Sequence, residues 1–131
     1  MLSASARNQA RAEKPTKEWG TPMKRMGKVI RLRADRIDEY KKAHREVWPS
    51  VLAQIERSNI RNYSIFLREP ENLLFAYFEY HGTDYAADMQ RMAADPETRR
   101  WWNWMEPLQD PLDTRAEGEW WASMEEVFHA A

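Results

Sequence analysis

The run Leu73-Leu74-Phe75-Ala76-Tyr77-Phe78-Glu79-Tyr80 decides how this chain folds. Its aromatic and aliphatic content reads as a β-strand, and it is apolar on both faces for most of its length. An antiparallel sheet with one wet face would alternate apolar and polar residues cleanly. Both faces are therefore expected to be covered. Helices of the same chain can cover one face, and a second copy of the sheet, in a dimer, is a natural cover for the other.

Upstream, the turn Arg68-Glu69-Pro70-Glu71-Asn72 joins this strand to Arg61-Asn62-Tyr63-Ser64-Ile65-Phe66-Leu67, a hairpin partner with Tyr63, Ile65 and Leu67 on one face. Met26 to Arg33 reads as a first strand. Asp35 offers an N-cap for a helix running from about Arg36 to Ser58, with Asn59 closing it. Pro49 interrupts that helix: its ring removes a backbone donor and pushes Trp48 out of the α region, which predicts a kink or a restart. Downstream, Thr83 or Asp84 starts a second helix. Asp95-Pro96 is an N-cap followed by a proline at the first helical position, opening a third helix, Glu97 to Glu106, which Pro107 stops. Residues 108 to 122 form an irregular arm carrying Trp120 and Trp121, which read either as packing residues or as the wall of a cleft, with packing favoured. Met124 to His129 is expected to close the fold as a fourth strand. The order strand, helix, strand, strand, helices, strand is that of a ferredoxin-like split unit, an α+β fold with an antiparallel four-stranded sheet and helices on one face.

The 131 residues suit one domain. Residues 1–25, rich in Ala, Arg, Lys, Ser and Pro, are expected to be a flexible tail, and residues 26–131 the single folded domain. With 20 basic against 21 acidic residues, the chain lacks the concentrated positive field that nucleic-acid binding requires. No run of about twenty apolar residues exists to span a membrane. Cysteine is absent, which excludes disulfides and thiolate metal sites and fits a reducing, cytosolic setting. The three histidines, at 44, 81 and 129, show no metal-ligand spacing. Seven Trp, five Tyr and four Phe are many for so small a domain, and they suit cores, interfaces and sugar-stacking clefts alike.

Ile37, Tyr40, His44, Val47, Val51 and Ile55 fall three or four residues apart, one stripe along a helix. His44 thus occupies a position where an aliphatic residue is expected, one turn from Tyr40 and one from Trp48. It reads either as a hydrogen-bonded core histidine or as a proton-transfer group. Tyr63, alone, reads as a core tyrosine. Trp101, Trp102 and Trp104 are more indoles than one helix face can hold, so at least one lines a cleft, a dimer contact or the arm. Of Glu125 and Glu126, one should face inward, paired with an Arg or bound to a polyol.

Taken together, Glu39-Tyr40-x-x-x-His44-x-x-x-Trp48-Pro49, Arg61 to Leu67, Asn72 to Ala76, Trp101-Trp102-x-x-Met105 and Met124-Glu125-Glu126-Val127-Phe128 resemble the L-rhamnose mutarotase family across residues 26 to 129. The resemblance implies ferredoxin-like protomers pairing into a dimeric α/β barrel, a cytoplasmic homodimer, no cofactor and no metal. It implies a small-molecule sugar substrate, a 6-deoxyhexose, whose α and β anomers are interconverted by acid/base ring opening and closure. It further implies that His44 is the catalytic proton donor and that Tyr40, Tyr63, Trp101 and Trp102 contact the sugar. L-rhamnose is the first expectation; L-fucose as substrate, or a non-catalytic sugar-binding barrel, are the alternatives. Cofactor-free oxygenases and haem-degrading enzymes share this barrel architecture by fold analogy alone.

Overall fold

The computed structural model describes residues 23–131. Most of the expected N-terminal tail, residues 1–22, lies outside the described residues. The first strand, β1 (Lys24–Leu32), begins two residues before the sequence reading placed it. A single 3₁₀ turn, Ala34–Arg36, leads into α1 (Ile37–Arg45), and α2 (Pro49–Arg57) follows after a three-residue break. Pro49 thus restarts the helix instead of kinking it: its lost N–H costs nothing at a first helical position, where that donor has no partner anyway. Asn59, with φ 66°, takes the left-handed conformation that ends α2 and turns the chain into β2 (Ile60–Arg68).

The hairpin of β2 and β3 (Leu73–Tyr80) forms as read, with Asn72 at φ 59° in its turn. Then come α3 (Tyr85–Ala94), capped by the Asp84 carboxylate on the Ala87 amide, and α4 (Pro96–Met105), capped by Asp95 on the Thr98 amide at 2.9 Å. Each cap is worth about 1 kcal/mol.

The strand order is β2-β3-β1-β4, all antiparallel, with β1 and β3 paired from Lys24↔Tyr80 to Arg31↔Leu73. The far edge differs from expectation. Two short strands share it: β4 (Gln109–Asp110) pairs with the end of β1, and β5 (Ala122–Met124) with its middle. The sheet therefore has five strands, not four, and of the expected closing strand Met124–His129 only Met124 is paired. Beyond it the chain stays near β1 through side chains: Arg25 donates to both carboxylate oxygens of Glu126 at 3.2 and 3.1 Å. Of the two carboxylates considered, Glu126 is thus the one paired with an Arg. Val127 and Phe128 are 90 % and 82 % exposed and pair with no strand among the described residues.

Residues alternate strictly along β3: Leu74, Ala76, Phe78 and Tyr80 are buried, while Leu73, Phe75, Tyr77 and Glu79 are half-buried. The buried set faces the helices, in a core of Ile30, Leu32, Tyr40, Ala43, Val51, Leu74, Trp101, Met105 and Leu108. A smaller cluster of Ile60, Phe78 and Met92 continues it under α3. Each fully buried aliphatic side chain of this kind contributes about 1.5–3 kcal/mol. Asp88 on α3, buried, accepts from the Tyr80 hydroxyl, from Asn59 Nδ2 at 3.0 Å and from Arg91, which ties α3 to the sheet and to the end of α2. The half-buried set forms the opposite face. There Phe66, Phe75 and Val29 lie side by side across three strands, and Phe66 is 64 % exposed. Among the described residues no helix is long and apolar enough to cross a membrane.

Candidate active site

Between the helix-facing side of the sheet and α1, α2, α3 and α4 lies a cavity of about 920 Å³. All five residues singled out in the sequence, Tyr40, His44, Tyr63, Trp101 and Trp102, line it. Sequence separation hid this grouping, because three different elements supply them. The helical stripe of α1 puts Tyr40 and His44 one turn apart, and their rings stack with centroids 4.3 Å apart. Trp101 of α4 meets the His44 ring edge-on at 5.3 Å and Trp48 at 5.2 Å.

Tyr63 reaches the cavity through an irregularity. Between the pairs Arg61↔Glu79 and Ser64↔Tyr77, β2 has one residue more than β3, a bulge in which Asn62 takes φ 52°. Bulges re-aim side chains. The Tyr63 ring packs on Phe78, is 43 % exposed and lines the cavity.

The three indoles of α4 separate as their crowding required. Trp101 is buried in the core, Trp102 lines the cavity with the Arg99 guanidinium over its ring, and Trp104 turns outward, stacking on Trp48 and donating to Glu39 at 2.8 Å.

The hydrogen bond at His44 Nδ1 fixes its tautomer. Nδ1 lies 2.9 Å from the Tyr40 carbonyl oxygen, which can only accept, so Nδ1 carries the proton and Nε2 keeps a free lone pair. Burial lowers the imidazole pKa below its ordinary value, and the bond to the Tyr40 carbonyl opposes this in part. At neutral pH the ring is therefore a neutral base. The phenols shift the other way. Burial, with the neighbouring Tyr63 phenol adding to it, pushes Tyr40 well above the ordinary tyrosine value, and burial pushes Tyr63 up to about 12. Both stay protonated hydrogen-bond donors across the working range.

The sequence reading missed several residues of the cavity wall. Lys28 projects from β1 and donates to Ser123 at 2.8 Å, whose hydroxyl donates to Glu119 at 2.6 Å. Gln109 in β4 and Trp120 and Trp121 in the arm also line it, so the arm closes one side of the cavity as well as packing. Nothing in the spacing of an isolated Lys, Gln or Trp announces such a position; only the pairing of β4 and β5 with β1 brings them there. Among the described residues no three His, Cys, Asp or Glu side chains gather as metal ligands.

The sequence model of the L-rhamnose mutarotase family matches residues 25–130. The chain belongs to the L-rhamnose mutarotase family. Among relatives, it is 34 % identical over 107 residues to the L-rhamnose mutarotase of Lactiplantibacillus plantarum, covering 82 % of this chain and 98 % of that one. It is 36 % identical over 86 residues to that of Oceanobacillus iheyensis, 66 % of this chain and 80 % of that one. The crystal structure of an L-rhamnose mutarotase from Formosa agariphila superposes with a TM-score of 0.65 at 23 % identity, over 82 % of this chain and 99 % of that one. A NIPSNAP family protein from Agrobacterium tumefaciens shares the fold at a TM-score of 0.55 and 19 % identity, over 72 % of this chain and 90 % of that one. The mutarotase match spans β1 to the C-terminal segment, so it includes every residue of the cavity wall described above.

Proposed function

We propose that this chain interconverts the α and β anomers of L-rhamnose by acid/base-catalysed opening and reclosure of the pyranose ring. The observation that carries this is the His44 ring at the cavity wall, with Nδ1 held by the Tyr40 carbonyl and Nε2 left as a base. Ring opening needs a group that takes the anomeric hydroxyl proton while the ring oxygen gains one; after rotation about the C1 to C2 bond the transfers run backward. A single imidazole serves both directions on the side it faces. Tyr63, Trp101 and Trp102 offer apolar faces to the C–H patches and methyl group of a 6-deoxyhexose, and the tyrosine hydroxyl meets its polar edge. No cofactor enters this chemistry. Saturation-transfer NMR on L-rhamnose and L-fucose tests the reading: exchange faster than the uncatalysed rate, and faster for L-rhamnose, is expected. Binding of sugar without acceleration of exchange would overturn it.

The His44 environment sets the pH dependence. Because the folded-state pKa is lowered, kcat/KM for L-rhamnose should fall only as pH drops below the ordinary imidazole value of 6.5, where the base becomes protonated. No alkaline loss from phenol ionisation is expected until pH approaches about 12. An acid limb centred above 6.5 would contradict a desolvated base.

We further propose ferredoxin-like protomers that pair sheet to sheet into a cytoplasmic homodimeric barrel; the strand order β2-β3-β1-β4 and the apolar row Phe66, Phe75 and Val29 support this. Placing a charge in that row with Phe66→Glu should shift the mass measured by light scattering from dimer to monomer. Far-ultraviolet circular dichroism should be unchanged, because Phe66 is 64 % exposed in the single chain. An unaltered dimer mass would place the interface elsewhere.

A further inference from the structure

Ring opening requires a proton at the ring oxygen as well as a base at the anomeric hydroxyl, and the hydrogen bonds around Gln109 identify the group positioned to give it. Gln109 is 4 % exposed, so its amide meets protein groups instead of water. The Trp120 indole N–H lies 2.7 Å from Gln109 Oε1. An indole nitrogen can only donate, so this contact fixes the amide: Oε1 faces Trp120 and the NH₂ group faces the other way. That NH₂ group lies 3.4 Å from the Tyr40 hydroxyl. An amide NH₂ can only donate, so the Tyr40 oxygen accepts from it, and the hydroxyl hydrogen is left to point away from Gln109. Tyr40 is 5 % exposed and lines the cavity, so the substrate space is where that hydrogen finds an acceptor.

We infer that Gln109 and Trp120 are positioning residues that lock the Tyr40 hydroxyl as a donor to the sugar's ring oxygen, making Tyr40 the acid partner of His44. The inference rests on the mutarotase reading and adds to it the identity of the second proton-transfer group. The two rings stack at 4.3 Å; in ring opening His44 Nε2 accepts where the Tyr40 hydroxyl donates, and in closing His44 is the donor, the role that the family resemblance implies for it. In opening, the O1 proton passes to Nε2, the C1–O5 bond breaks as the C1–O1 double bond forms, and O5 takes the Tyr40 proton. In closing, O5–H returns its proton to Tyr40 as O5 attacks C1, and Nε2 returns a proton to O1. The enzyme ends as it began. The phenoxide and imidazolium that form between the two steps sit against each other, so each partly neutralises the other's charge. No sequence motif marks this relay, since Trp120 and Gln109 lie in an arm and a two-residue strand.

Gln109→Glu keeps the size of the side chain and reverses its hydrogen-bonding polarity. An ionised carboxylate accepts from both neighbours, so it captures the Tyr40 hydroxyl hydrogen and removes the donor from the cavity. On that edge Arg31 and Asp110 are already paired to each other at 3.1 Å, and Lys28 and Glu119, which line the same cavity, are joined through the Ser123 hydroxyl. At neutral pH kcat for L-rhamnose exchange should fall by about 10²–10³-fold, the scale of losing one donor to a developing oxyanion, with KM within about twofold. Acidification should restore part of the rate, because the protonated carboxyl can again donate to Tyr40, whereas the unaltered enzyme only loses activity as His44 is protonated. Gln109→Met and Trp120→Phe, which free the hydroxyl to turn without capturing it, should lose only a few-fold in kcat and show no acid recovery. Equal losses in all three variants, or a loss confined to KM, or a Gln109→Glu profile that only falls on acidification, would overturn the inference. Thermal melts of the three variants separate these outcomes from unfolding. A lack of acceleration by the unaltered chain would instead remove the mutarotase reading itself.

Discussion

Replacing His44 with Ala should slow L-rhamnose anomer exchange by about 10²–10⁴-fold, the usual contribution of a positioned acid/base group. The reason lies in how completely the structure commits this ring. Its Nδ1 proton is held by the Tyr40 carbonyl at 2.9 Å, one face stacks on the Tyr40 ring, and Trp101 meets it edge-on, so Nε2 is held in one orientation at the cavity wall. No other imidazole lines the cavity. Exchange measured by saturation-transfer NMR should therefore approach the uncatalysed rate in His44→Ala. His44→Gln, which retains bulk and a hydrogen-bonding group but cannot shuttle a proton near neutral pH, should be nearly as slow. If His44→Gln kept most of the activity, the ring would be a spacer and the base would have to be sought among the other cavity residues. The fold should survive both changes, because His44 is only half-buried and its one hydrogen bond among the described residues is to its own helix.

Much of this arrangement was legible in the sequence, for reasons that differ from residue to residue. The Asp95-Pro96 helix start, the Asn59 stop and the β2–β3 hairpin depend on local backbone chemistry, so a few neighbouring residues specify them. His44 stood out because a titratable residue on an otherwise apolar helical stripe breaks the period. The sheet edge did not show. The segment Met124 to His129 is short and β-compatible, yet pairing depends on what β1 has left to offer, and β4 and β5 share that edge. Gly27 illustrates why: it lies opposite Met124, and a side chain there would crowd the Met124 methyl carbon at 3.3 Å. The absence of a side chain on one strand thus settles which residue of another can lie against it, a relation between positions almost a hundred residues apart. Gln109 was invisible for the same reason, since its significance comes from Tyr40 and Trp120 and not from its neighbours in the chain.

Trp101→Ala should cost about 3 kcal/mol of folding stability, measured by urea denaturation, and should depress exchange even under conditions where the variant stays folded. Truncating a buried Trp to Ala typically costs 3–5 kcal/mol through lost apolar burial and the cavity left behind. Trp101 is 6 % exposed within the main core, which argues for the full range, but it also lines the cavity, which argues for the lower end. Against a typical domain stability of about 5–15 kcal/mol, that loss is large. Trp104→Ala makes the comparison sharp. That indole lies on the same helix and also touches Trp48 and Trp101, but it is 37 % exposed and its hydrogen bond to half-buried Glu39 lies at the surface, so its truncation should cost about 1 kcal/mol. The activity loss should be specific to Trp101 as well, because its edge contact is what keeps the His44 ring from turning out of its stack with Tyr40. Trp101→Phe, which restores an aromatic edge with less bulk, should recover part of both quantities. Equal stability losses for Trp101→Ala and Trp104→Ala would mean that the core does not extend to the cavity wall as described. An unchanged kcat in folded Trp101→Ala would mean that stacking on Tyr40 and the Tyr40 carbonyl are enough to hold the base.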